Sequence, residues 1–135
     1  MEMLLFLIMS LGLPLFMVIH GFQIKKGWAQ RVKVNKWNGY RTKMSKKNQE
    51  TWIFAHNYWG NLLIPFGFIL IPLSIGTAIL VEHSTFAPMD TEPWFGGLVT
   101  GTISLVVQLI IFCILIIPTE MALKKEFDEN GERRQ

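Results

Sequence analysis

The sequence predicts an all-α integral membrane protein, a bundle of three transmembrane helices with the amino terminus outside and the carboxyl terminus in the cytoplasm. Three observations carry this expectation. Half of the 135 residues are hydrophobic and only 17% are charged, too few to cover a soluble domain of this size. Three long runs carry no charge at all. All 13 Lys and Arg residues fall in two segments, both of which the positive-inside rule assigns to one side. The length suits a single membrane domain.

The first run, Met3 to Ile19, has 17 uncharged residues and predicts a span over residues 3–20. A secretory signal peptide is the competing reading. The only charge before the run is Glu2, no A-x-A site follows, and the basic residues come after it. The second run, Tyr58 to Val81, contains Pro65 and Pro72, which membrane helices tolerate when neighbours satisfy the freed carbonyls. Gly60, Gly67 and Ser74 repeat at seven and predict a small-residue seam for close helix packing. The third run, Trp94 to Ile117, has 24 uncharged residues and Pro118 as its expected terminator. Gly97, Thr100, Gly101, Ser104 and Gln108 put small and polar groups on its helix, predicting a packing stripe with Gln108 facing protein.

Nine basic residues lie between the first and second runs and four follow the third. The expected map is therefore a cytoplasmic segment at 21–57, an outer loop at 82–93 and a cytoplasmic tail at 118–135. Basic residues beside a membrane helix meet anionic inner-leaflet lipid, gaining roughly 1 kcal/mol each. No nucleic-acid-binding module is visible, so the basic character does not point to DNA or RNA. The tail mixes both signs and its last residues are expected to be disordered. Ser45 is expected to cap a helix that starts at Lys46 and runs through an interfacial stretch into the second span. Cys113 stands alone inside an apolar run, which excludes a disulfide within the chain.

The segment between the first two runs carries a spaced pattern: Asn35, Gly39-Tyr40-Arg41-Thr42, Ser45, Trp52 and then the pair His56-Asn57. With the helix pair that follows, it resembles the signature of the SdpI/YfhL family over about Asn35 to Ile117. The resemblance implies a bacterial membrane immunity protein giving resistance to a secreted antimicrobial peptide toxin. It also implies a signalling role, in which a cytoplasmic repressor is drawn to the membrane. Asn35, Gly39, Arg41, Thr42, Ser45, Trp52, His56 and Asn57 would then form the cytoplasmic docking segment. The founding member is longer, with additional amino-terminal membrane helices, and the first span here is expected to fit the shorter YfhL-like architecture.

Arg41 is the sharpest candidate, since a guanidinium at the bilayer boundary can hold a phosphate, a carboxylate or helix carbonyls. The alternative is a structural staple pairing with Glu50 or Glu120. On the outer side Glu82, His83, Asp90, Glu92 and Trp94 make an acidic ledge suited to a cationic or amphipathic peptide. His20, His56 and Glu120 all fall near the inner interface, a weak possibility for a metal site with no supporting motif. No nucleophile elbow, metal motif or phosphate loop is present, so neither an enzyme nor a cofactor is expected. Two other functions stay open: a subunit of a small oligomeric transporter or channel, and an accessory subunit of a larger membrane complex.

Overall fold

In a computed structural model the chain is helical, and its elements are described over residues 2–35, 37, 39–83 and 93–134, with side chains for 4–35, 37, 39–80 and 96–134. The helices are α1 (Glu2–Lys25), α2 (Trp28–Arg31), α3 (Gln49–His83), α4 (Pro93–Ile114) and α5 (Ile116–Glu126). No strand occurs among the described residues, only an isolated bridge between Phe127 and Arg133. Three stretches are long and apolar enough to cross a membrane: Leu4–Lys25, Gln49–Leu80 and Gly96–Glu126. Their outer faces are apolar, with Ile8, Ile69, Leu80, Ile103 and Ile117 all more than half exposed. A surface of that kind suits lipid and not water.

Two compact units are distinguishable, one of Met1–Val18 and Pro65–Phe112, the other of Ile19–Ile64 and Cys113–Gln135. In the first unit, Phe6, Ser10, Pro14 and Met17 recur at three and four along α1 and are buried. Gly67 faces this stripe so closely that an added Cβ would stand 2.7 Å from a Val18 methyl and 3.0 Å from the Pro14 carbonyl oxygen. Pro14 has no N–H to give the Ser10 carbonyl. The Ser74 hydroxyl of α3 lies 3.3 Å from that carbonyl and 2.8 Å from the Leu70 carbonyl of its own helix. A proline in α1 is thus matched by a serine across the contact.

The buried Gln108 amide of α4 donates to the hydroxyls of Ser74, at 3.0 Å, and Ser104, at 3.3 Å. Thr100 returns its hydroxyl to the Gly96 carbonyl at 2.7 Å. Gly97 and Gly101 are buried, and a Cβ on Gly101 would meet Met9 at 3.1 Å. In the second unit a Cβ on Gly60 would stand 2.9 Å from Ile24.

Three expectations change. The long helix starts at Gln49, not Lys46. Asn48 caps it, its side-chain oxygen accepting from the Thr51 amide at 2.9 Å while the Thr51 hydroxyl accepts from the Asn48 amide at 3.2 Å. Ser45 instead closes the preceding turn. Pro118 does not end the third helix. The break falls at Leu115, because a proline at 118 cannot bond the carbonyl of Ile114, and α5 then runs on to Glu126. The tail is folded back. Phe127 is buried, Gly131 takes φ +87°, and its carbonyl accepts from the Asn48 amide at 2.7 Å. Arg133 reaches Glu50 at 2.6 Å.

Gly67→Val should lower stability by roughly 1–3 kcal/mol through overpacking, whereas Gly76→Val, with nothing within 4 Å of its Cβ, should change little. Equilibrium unfolding in mixed micelles of both variants measures the difference.

Candidate functional site

The segment from Val32 to Asn48 has no helix of its own among the described residues, so its backbone groups need other partners. Gln49, the first residue of α3, supplies two. Its side-chain oxygen accepts from the Val34 amide at 3.2 Å and its amide donates to the Val32 carbonyl at 3.2 Å. Asn35 makes a local turn, accepting from the Trp37 amide at 2.9 Å. Thr42 and Ser45 brace each other. The Ser45 hydroxyl accepts from the Thr42 amide at 2.9 Å, and the Thr42 hydroxyl accepts from the Ser45 amide at 3.2 Å. The Ser45 hydroxyl also lies 3.1 Å from the Tyr40 carbonyl, to which it donates.

The anchor is His56. Its ring lies one turn beyond Trp52 on the buried face of α3. Nδ1 sits 2.8 Å from the Trp52 carbonyl and Nε2 accepts the Tyr40 amide hydrogen at 2.9 Å. A carbonyl only accepts and an amide N–H only donates, so the ring serves both as the neutral tautomer with hydrogen on Nδ1. Gly39 makes the approach possible. Its φ of +91° suits glycine, and a Cβ there would collide with His56 Nε2 and crowd Trp28 at 3.1 Å. Trp28 and Trp52 flank the imidazole, with ring centroids 5.4 and 4.1 Å away.

Tyr40 carries the anchor across to α5. Its hydroxyl lies 3.0 Å from a Glu120 carboxylate oxygen and 3.2 Å from the Ile116 carbonyl, and it donates toward them. Burial, and then the Glu120 charge, push the phenol above its ordinary range, so it stays a donor at neutral pH. Trp59 packs against Tyr40 with centroids 5.5 Å apart, and His20 meets Trp28 edge-on at 5.6 Å.

The motif residues therefore divide. Gly39, Thr42, Ser45, Trp52 and His56 come together as one internal network. Asn35 serves its own turn. Asn57 lies on another face of α3, beside Glu50 and Asn61. Arg41 is exposed, as are Lys43, Lys46 and Lys47. Glu50 is paired with Arg133 and Glu120 with Tyr40. Both His56 nitrogens are occupied by backbone groups, and the described residues hold no group of three His, Cys, Asp or Glu side chains suited to a metal. Glu82, His83, Asp90, Glu92 and Trp94 lie outside the residues whose side chains are described. Tyr40, Trp28 and Gln49 escaped the sequence reading. Only Tyr40 carried a signal, its place inside the G-Y-R-T run.

Three apolar spanning helices with a folded basic segment between the first two define a small multi-helix membrane protein. The chain belongs to the SdpI/YfhL protein family, whose model matches residues 31–121. The match begins at the end of α2 and ends within α5, so it takes in the whole His56–Tyr40–Glu120 network. No curated protein and no solved structure matches the chain.

Gly39→Ala should detach the segment from His56, through the strained φ and the collision together. Limited trypsin digestion in micelles should then cut at Arg41, Lys43, Lys46 and Lys47 several-fold faster than in the parent protein. An unchanged rate would show that the His56 contact does not hold the segment.

Proposed function

We propose that this protein is a membrane immunity protein of the bacterial cytoplasmic membrane, protecting its cell against a secreted antimicrobial peptide toxin. In the same reading it signals, and the segment around Arg41 is the cytoplasmic surface that recruits a repressor to the membrane. Family membership supports the general role. The observation that carries the assignment to Arg41 is the division of the motif. Gly39, Thr42 and Ser45 beside it are buried or half-buried in the braced turn, and Arg41 is exposed on it. A rigid mount with an exposed cation suits recognition of a carboxylate or phosphate on a partner.

The distribution of charge supports the sidedness, since the basic residues flank the helix ends at Lys25 and Lys124 and none precedes Lys25. A cysteine at exposed Lys43, in a Cys113→Ala background, should resist a membrane-impermeant maleimide in intact cells and react after lysis. Labelling in intact cells would reverse the orientation. In a toxin-challenge assay Arg41→Ala should lose protection while inserting at parental levels. Full protection at normal expression would remove Arg41 from the mechanism.

A further inference from the structure

We infer that the recess on α3 beside the carboxyl-terminal turn is a binding site for the zwitterionic phosphoethanolamine headgroup of a phospholipid. It has a volume of about 310 Å³ and is lined by Glu50, Phe54, Asn57, Tyr58, Asn61 and Arg133 among others. The α3 members recur at three and four residues and share one face. The inference does not rest on the immunity reading.

Polar groups without protein partners gather here. Arg133 meets Glu50 through Nε at 2.6 Å and lies over the Phe127 ring at 5.7 Å, and its remaining guanidinium nitrogens have no hydrogen-bond acceptor among the described residues. The amides of Asn57 and Asn61 and the hydroxyl of Tyr58 likewise make no hydrogen bond among the described residues. Pro65, four residues after Asn61, has no N–H to offer the Asn61 carbonyl. The Glu50 and Arg133 side chains are 55% and 59% exposed, so both charges are open to a ligand.

The recess also marks a change in the surface of α3. Exposed Glu50, Tyr58 and Asn61 give way to exposed Phe66, Phe68, Ile69 and Leu73. That transition sets the depth of a lipid headgroup. A neighbouring recess shares Phe54 and Tyr58 and adds Pro118, Met121 and Ala122, against which the start of an acyl chain can lie, with Lys125 and Glu126 at its other side.

Charge complementarity selects the headgroup. One cation and one anion stand side by side, so a ligand carrying both signs leaves neither unmatched. The phosphate meets the free guanidinium nitrogens and the asparagine amides. The ammonium donates to Glu50 and the Asn61 carbonyl and sits near the Tyr58 ring. Choline has no N–H to donate, and an anionic headgroup sets its charge beside the Glu50 carboxylate with no ammonium to offset it.

The test is native mass spectrometry of the full chain in detergent with equal amounts of phosphatidylethanolamine, phosphatidylcholine and phosphatidylglycerol. Phosphatidylethanolamine should be retained about tenfold better than either of the others. Glu50→Gln and Asn61→Leu should each abolish the preference, and Lys46→Gln should keep it. Asn61→Leu leaves the ion pair in place, so its result stands even if Glu50→Gln loosens the tail. Soluble O-phosphoethanolamine should compete with the lipid, and inorganic phosphate should not. Equal retention of all three lipids, a preference for phosphatidylglycerol, a preference that survives Asn61→Leu, or equal competition by phosphate would each overturn the assignment.

Discussion

The second unit depends on one imidazole. His56 takes the Tyr40 amide hydrogen on one nitrogen and gives its own hydrogen to the Trp52 carbonyl from the other. Through that ring an irregular, strongly basic segment is tied to the start of a long apolar helix. The constraint propagates in both directions. Gly39 must be glycine because the imidazole approaches the backbone there, and Tyr40, once placed, reaches Glu120 on α5. Buried hydrogen bonds of this kind cost more to break than they contribute when formed, because each orphaned group is then left away from water. The network is therefore a specification of geometry more than a large source of stability.

Within the apolar helices the same economy of polar groups holds. Water is absent from the bilayer core, so each freed carbonyl needs a partner. Pro14 frees the Ser10 carbonyl and the Ser74 hydroxyl covers it. Gln108 is seated by Ser74 and Ser104. Glycines at 60 and 67 let the helix backbones close to distances that a side chain would forbid. Packing and polar pairing are thus coupled, since the serine can reach across only where the glycines have brought the helices together.

The division of the motif bears on the proposed function. A residue pattern shared by a family is easily read as a single binding surface, yet most of this one faces inward. Thr42, Ser45 and His56 hold one another and the backbone, and what they leave outside is Arg41. The folded tail adds a second outward feature. Because Arg133 is held near Glu50, a recess carrying both signs of charge forms on another face of α3 from the His56 anchor.

Much of the fold was legible in the chain itself. Uncharged runs long enough to span a bilayer, the seven-residue spacing of Gly60, Gly67 and Ser74, and the burial of Gln108 follow from local composition, because lipid excludes charge and rewards small contacts. The helix starting at Gln49 was misplaced by three residues, since Ser45 and Asn48 are both capping types and only the Thr51 partnership separates them. Pro118 was read as a stop because one dimension of sequence shows the missing N–H but not the resumption of helix beyond it. The tail was expected to be disordered on its mixed charge, and its order comes from Phe127, Asn48 and Glu50, contacts made across more than seventy residues. By itself, then, the sequence determined the membrane class, the presence of three long apolar helices and the family. Tertiary structure alone decided which motif residues point inward and which polar groups meet, because those pairings join positions that no local spacing relates.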